Sequence, residues 1–180
     1  MKITLIILGV IAFAVILLCI FAPTDFKLER DITINKPRNI VFAEIKLLKN
    51  HSKWNAWLKK DPSAKMEYKG TDGTVGFISS WESENQELGI GEQEIITITE
   101  GERLEMQLRF KKPMEGKLAS YIITESLGEN QTKVTVGMYD KMPIPMNAIH
   151  LIVNVCFEIQ KKMTDNMDAG LNDLKVILEK

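Results

Sequence analysis

The chain has 180 residues, a length that suits one folded domain with a short additional segment. It carries 23 Lys and Arg against 24 Asp and Glu, a formal net charge of −1, which argues against a nucleic-acid-binding protein with a basic face. With 45% hydrophobic and 26% charged residues, the chain is too apolar to be disordered and too charged to cross a membrane many times.

An apolar stretch lies at the start of the chain. Residues 3–22 include no charged residue, and only Thr4 and Gly9 among them are not apolar. A helix rises about 1.5 Å per residue, so a stretch of this length covers about 30 Å, the thickness of the hydrocarbon core of a bilayer. We therefore predict an uncleaved membrane anchor at residues 1–22, a folded domain at residues 23–180 and a single-pass membrane protein.

Two alternatives to the anchor stay open, a cleaved signal peptide and a lipoprotein that would use Cys19. Ile20 and Pro23 are unfavourable around a cleavage site, and bulky Leu18 is unfavourable before a lipidated cysteine. Basic residues flank the stretch on both sides, so the sequence leaves open on which side of the membrane the domain lies.

The domain begins with a strand and short helices. Apolar and polar residues alternate from 26 to 35, which predicts a half-buried strand. Pro37 ends this strand, and residues 38–48 carry an apolar stripe at helical spacing. Trp54 and Trp57 are three residues apart and would share one side of a second short helix or ordered loop.

From residue 66 onward the apolar residues recur at every second position. The alternating segments are separated by turn sequences such as Asp72-Gly73 and Gly128-Glu129-Asn130, which predicts an antiparallel meander. The clearest strand is 104–110, with one side predicted to be buried and the other exposed. The buried side consists of Leu104, Met106, Leu108 and Phe110, and the exposed side of Glu105, Gln107 and Arg109.

A long helix is predicted at the end of the chain. After Pro145, apolar residues recur at intervals of three and four from about residue 146 to residue 178. A single helix of roughly 32 residues would be about 48 Å long. It needs a long apolar partner, which a curved sheet of six to seven strands supplies.

Short motifs occur along the domain in a regular order. They are Glu29-Arg30-Asp31-Ile32-Thr33-Ile34-Asn35-Lys36-Pro37, Val41-Phe42, Trp54-Asn55-Ala56-Trp57, Asp61-Pro62, Gly73-Thr74-Val75-Gly76, Trp81, Gly89-Ile90-Gly91, Phe110-Lys111-Lys112-Pro113 and Gly170-Leu171-Asn172-Asp173-Leu174-Lys175. Together with the order of elements, they resemble the polyketide cyclase/dehydrase-like branch of the SRPBCC superfamily, which also includes START domains and birch-pollen-type allergens. The resemblance covers roughly residues 27–180. It implies an α+β helix-grip fold, in which a curved antiparallel sheet wraps around a long C-terminal helix.

The resemblance also implies an apolar cavity between the sheet and that helix, and such a cavity favours an apolar guest. We predict a membrane-tethered binding module for an apolar or amphipathic small molecule, with a lipid as one candidate and no cofactor. Two other functions stay open, an enzyme of the polyketide cyclase/dehydrase type acting on such a ligand and a stress or regulatory domain without a ligand. The residues predicted to line the cavity are Trp54, Trp57, Phe77, Trp81, Met106, Leu108, Phe110, Met138, Ile152, Cys156, Ile159, Met163 and Met167.

The sequence contains no motif for catalysis or metal binding. It has no HExxH and no CxxC pattern, and Cys19 and Cys156 occur in different settings. His51 is predicted on a surface loop, and His150 lies on the opposite side of the final helix from Cys156. We therefore predict no catalytic residue, no metal site and no Cys–His pair.

Overall fold

The computed structural model describes residues 2–180, and within α1 it leaves out the side chains of Lys2, Leu5, Leu8, Ile11 and Ala12. The helices within this range are α1 (Lys2–Phe21), α2 (Arg38–Lys46), α3 (His51–Trp54), α4 (Met146–Phe157) and α5 (Ile159–Leu178). The strands are β1 (Asp25–Ile34), β2 (Lys65–Lys69), β3 (Ile78–Glu82), β4 (Ile90–Thr99), β5 (Arg103–Lys112), β6 (Gly116–Gly128) and β7 (Gln131–Lys141).

The strands form one antiparallel sheet in the order β1-β7-β6-β5-β4-β3-β2. Strands β2 to β7 pair consecutively as a meander, and β1 joins the last strand, so that Leu28 faces Met138. In β4 the register shifts at Ile90/Gly91 and at Ile95/Thr97, and such irregularities bend a strand. The predicted α+β architecture, a curved antiparallel sheet of six to seven strands around a C-terminal helix, is confirmed, and the sheet has seven strands.

The core lies between the concave face of the sheet and α5. Met167, Leu171 and Leu174 recur at helical spacing and are 3%, 1% and 0% exposed. They belong to one buried cluster with side chains of the sheet such as Leu104 and Val134. Each fully buried side chain of this kind contributes about 1.5–3 kcal/mol relative to exposure, which fixes α5 across the sheet.

The C-terminal segment predicted as one helix is divided into α4 and α5. Glu158 lies between them with φ 51° and ψ 39°, the left-handed conformation, which cannot continue a right-handed helix. α4 contacts α1, and its His150 ring packs edge-on against Phe26 of β1. The helix that packs against the sheet is therefore the 20-residue α5 alone. The prediction of one helix of roughly 32 residues is wrong.

Asn147 connects α4 to the end of α1. Its Nδ2 donates hydrogen bonds to the carbonyl oxygens of Cys19 and Ala22, both at 2.9 Å, and so satisfies carbonyls that a helix end leaves without an intrahelical partner. Asn147 is 1% exposed. The two helices are thus joined by a buried polar contact.

Among the residues that the structure describes, no helix is long and apolar enough to cross a membrane. This finding corrects the prediction of a single-pass membrane protein anchored through residues 3–22. A span takes about 20 consecutive apolar residues. Of the predicted anchor, the side chains of Leu5, Leu8, Ile11 and Ala12 lie outside the described residues.

Candidate functional site

A cavity of about 360 Å³ lies between the concave face of the sheet and α5. Strands β3 to β7 form one wall, and residues 163–170 of α5 form part of the other. The segment from α3 to Leu58 and the loop before β4 complete the enclosure. Most of the lining is apolar, because alternate residues of each strand point to the same concave side.

The structure brings nine of the thirteen predicted residues together at this cavity. They are Trp54, Trp57, Trp81, Met106, Leu108, Phe110, Met138, Met163 and Met167. Alternation along the strands and periodicity along α5 predicted on which side the members of this group in the sheet and in α5 lie. Whether they bind a ligand stays a prediction.

The other four predicted residues lie elsewhere. Phe77 is 1% exposed and packs in the buried core, where its ring stacks on Tyr68. Ile152 and Cys156 belong to α4 and are exposed, and Ile159 is the first residue of α5. For Ile152 and Cys156 the break at Glu158 is the physical reason, since it separates α4 from the helix that faces the sheet.

Strand β5 shows the predicted register with two differences in burial. Leu104 and Met106 are buried, whereas Leu108 and Phe110 are half-buried because they face the cavity. The opposite side is half-buried instead of exposed, and on it Arg109 forms an ion pair with Glu92 at 2.9 Å and another with Glu94. These charges lie on the face of the sheet away from the cavity.

Tryptophan rings form part of the cavity wall. Trp81 donates from Nε1 to the carbonyl oxygen of Leu88 at 3.2 Å, so its polar edge is satisfied and its ring is free for apolar contact. It packs edge-on against Phe110, with ring centroids 6.3 Å apart. Trp54 packs on the other side against His51 at 4.6 Å. Such rings contribute large apolar surfaces of fixed shape.

The turn that carries Trp57 is held by local contacts. The side-chain oxygen of Asn55 accepts a hydrogen bond from the backbone N–H of Trp57 at 3.0 Å. α5 packs closely against this segment, because a Cβ on Gly170 would lie only 3.1 Å from the carbonyl oxygen of Trp54. The sequence motif around Gly170 therefore serves a contact between α5 and the end of α3.

The cavity lining also includes polar residues that the sequence did not assign to it, and the buried ones among them are His51, Gln93 and Ser120. His51 is 1% exposed, so its predicted place on a surface loop is wrong. Its polar neighbours in sequence concealed the inward direction of the ring. For Gln93 the only signal was its parity with Ile95, which is buried on the same side of β4.

His51 is held in its neutral form. Burial lowers the pKa of its imidazole from the ordinary 6.5 to about 4, although the carbonyl of Ile45 and the charge of Asp72 act in the opposite direction. Nε2 of His51 lies 2.8 Å from the carbonyl oxygen of Ile45, and Nδ1 lies 3.4 Å from Nε2 of Gln93. The ring is therefore a fixed polar group in the wall.

The charged residues that line the cavity lie at its mouth. Glu87 and Lys112 are exposed, as are the neighbouring Gln86 and Met114. Lys60 donates a hydrogen bond to Glu87, which lowers the pKa of that carboxyl. Within the described part of the chain, no group of three or more metal-ligating side chains is found. The arrangement is suited to holding an apolar molecule whose polar end meets a few neutral groups.

Comparison with known proteins identifies solved structures of similar fold. No family model matches the chain, and no curated protein matches it. Among solved structures, it is similar to norcoclaurine synthase from Thalictrum flavum in complex with dopamine and hydroxybenzaldehyde, with 13% identity and a TM-score of 0.60 over 91% of this chain and 92% of that one.

Two further solved structures share the fold. Ara h 8.0201 is 12% identical, with a TM-score of 0.57 over 86% of this chain and 97% of that one. A protein from Chromobacterium violaceum is 13% identical, with a TM-score of 0.57 over 88% of this chain and 99% of that one. At this level of identity the likeness shows the fold alone, and the chain has the helix-grip fold that its ordered motifs predicted.

Proposed function

We propose that the chain binds an apolar or amphipathic small molecule in the cavity between the sheet and α5. The observation that carries this proposal is a cavity of about 360 Å³ with a predominantly apolar lining. Small-molecule sites commonly have volumes of roughly 300–1,000 Å³ and combine an apolar lining with a few placed polar groups. Protein interiors otherwise contain few voids larger than a water molecule.

The lining suits guests of more than one shape. Met106, Met138, Met163 and Met167 contribute flexible thioethers from the sheet and from α5. Methionine side chains repack around different molecules at low cost because they are unbranched and have three rotatable bonds. We therefore propose a class of apolar guests, in which a lipid is one candidate.

The likeness in fold to norcoclaurine synthase supports a small-molecule role for this chain. That protein was solved in complex with dopamine and hydroxybenzaldehyde, two small aromatic molecules. The proposal for this chain is binding, and it depends on the lining described above.

A pair of tryptophan substitutions on α5 tests the proposal. Met163 lines the cavity, whereas Ala169 is exposed on the same helix. Met163→Trp should fill the cavity and abolish the fluorescence increase of N-phenylnaphthylamine, a neutral apolar probe, while Ala169→Trp should leave it unchanged. Both full-length variants are first checked for cooperative thermal unfolding by circular dichroism. Unchanged probe binding in a folded Met163→Trp protein contradicts the proposal.

The natural guest can be sought directly. Organic extraction of the purified protein followed by mass spectrometry should yield an apolar compound in near-stoichiometric amount. The same extraction of Met163→Trp should yield much less of it, and extraction of Ala169→Trp should match the wild type. A compound recovered equally from all three proteins would be a contaminant.

A further inference from the structure

His51 determines which polar groups in the buried wall of the cavity donate hydrogen bonds and which accept them. A carbonyl oxygen only accepts hydrogen bonds, so the 2.8 Å contact with Ile45 requires a proton on Nε2 of His51. A neutral imidazole carries one proton, and Nδ1 is then an acceptor. Nδ1 can therefore face only a donor.

Gln93 supplies that donor, and its amide orientation follows. Its NH₂ group faces Nδ1 of His51 at 3.4 Å, so its carbonyl oxygen Oε1 points the other way. Gln93 is 5% exposed and lines the cavity. No described residue donates a hydrogen bond to its Oε1, and the protein does not fully enclose this oxygen. This oxygen therefore faces the cavity as an acceptor.

Among the described residues, no cationic side chain lines the buried part of the cavity beside this acceptor. The cavity-lining residues that carry a full charge, Glu87 and Lys112, are exposed at the mouth. Around the deep end lie Met106, Ser120 and Ile122, which are uncharged and buried. A carboxylate placed there would lose its hydration without gaining a cation, which is costly. It would also face the negative end of the Gln93 carbonyl dipole.

We infer that Gln93 selects a guest with a hydroxyl group, so that the cavity prefers a neutral apolar alcohol over a carboxylate such as a fatty acid. The hydroxyl donates its proton to Oε1 of Gln93, and the hydrocarbon part lies along the methionines and tryptophans of the wall. This inference rests on the proposed function, because it names the class of guest for the same cavity.

Two isomeric ligands, of which only one has a hydroxyl group, test this inference. Decanol and methyl nonyl ether have the same atoms and nearly the same shape, but only decanol can donate a hydrogen bond. In displacement of N-phenylnaphthylamine from the full-length protein, decanol should bind about three- to tenfold more tightly than the ether, the factor that one net neutral hydrogen bond supplies. Decanoate should bind more weakly than decanol. Equal or tighter binding of the ether or of decanoate overturns the inference.

Variants then assign the preference to Gln93. Gln93→Leu should abolish the preference for decanol while the affinity for the ether is retained. Leu118→Ala, a matched apolar change in the same lining, should weaken both isomers by a similar factor and leave their ratio unchanged. A preference that survives in folded Gln93→Leu overturns the assignment. If Gln93→Leu does not fold, Gln93→Met is used instead, because it also removes the amide and keeps an unbranched side chain of similar length.

The failure of this inference differs from a failure of the proposed function. If probe and isomers bind but the isomers bind alike, the hydroxyl preference is wrong and the cavity remains a binding site. If neither the probe nor any ligand binds the folded wild-type protein, the proposed function is wrong and the inference falls with it.

Discussion

Trp81 and Gly91 face each other across strands β3 and β4, and the indole ring of Trp81 lies directly on the glycine backbone. A Cβ at position 91 would be 2.6 Å from the ring carbon Cζ2 and 2.8 Å from the carbonyl oxygen of Arg109. No side chain fits in this space. The glycine therefore allows the ring to lie flat in the wall of the cavity.

Gly91→Ala is expected to displace the Trp81 ring and to lower both stability and probe binding. Forcing a methyl group into packed space costs about 1–3 kcal/mol. The control is Gly116→Ala at the start of β6, where nothing lies within 4 Å of the added Cβ. Urea denaturation and N-phenylnaphthylamine titration of both variants measure the effect. Similar small losses in the two would show that the ring has room to move.

Two leucines on the same side of β5 should differ in what they contribute to stability. Leu104 is 0% exposed, whereas Leu108 is half-buried and faces the cavity. Leu104→Ala should lower the free energy of unfolding by about 2–5 kcal/mol, because it opens a new void in packed core. Leu108→Ala should cost about 1 kcal/mol, since it widens a void already present. Equal losses in urea denaturation would mean that the cavity is packed shut at Leu108.

Stability should depend on pH through His51. Its pKa of about 4 in the folded protein is below the unfolded value of 6.5, so between these values the unfolded chain binds a proton that the folded protein excludes. The contribution is fully present above about pH 6.5 and is lost as pH falls toward 4, with a slope of up to about 1.4 kcal/mol per pH unit.

His51→Gln should remove this component, because glutamine does not titrate. The free energy of unfolding by urea is compared between wild type and variant from pH 7 to pH 5. Measurements stay above pH 5 because carboxyls with lowered pKa, such as Glu29 and Asp61, add their own loss at lower pH. A wild-type slope that the variant retains would mean that another group is responsible.

Glu158→Gly should stabilise the protein. Glu158 has φ 51°, a conformation that costs a residue with a Cβ roughly 1–2 kcal/mol and that glycine adopts readily. Part of this gain is offset by the greater freedom of glycine in the unfolded chain. Glu158→Ala is the control, since it removes the same carboxylate and keeps the Cβ. A higher melting temperature only for glycine is expected, and the opposite order would contradict a left-handed residue between α4 and α5.

The sequence predicted those features that depend on spacing between near neighbours. Alternation along 104–110 placed Met106 on the concave side, and helical periodicity placed Met163 and Met167 on the side of α5 that faces it. Ordered motifs then indicated the helix-grip arrangement. These features are recoverable because side-chain direction repeats every two residues in a strand and every 3.6 residues in a helix.

Tertiary structure alone decided the rest. The apolar pattern continues through Glu158 without a signal, so the position of Ile152 and Cys156 outside the cavity depends on one left-handed residue and on the packing of α4 against α1. In the same way, His51 and Gln93 are 42 residues apart, and only the curvature of the sheet against α3 brings them into contact. Periodicity tells which side of its own element a residue occupies. Which elements face each other, and which polar groups meet in the space between them, is determined by contacts between residues far apart in the chain.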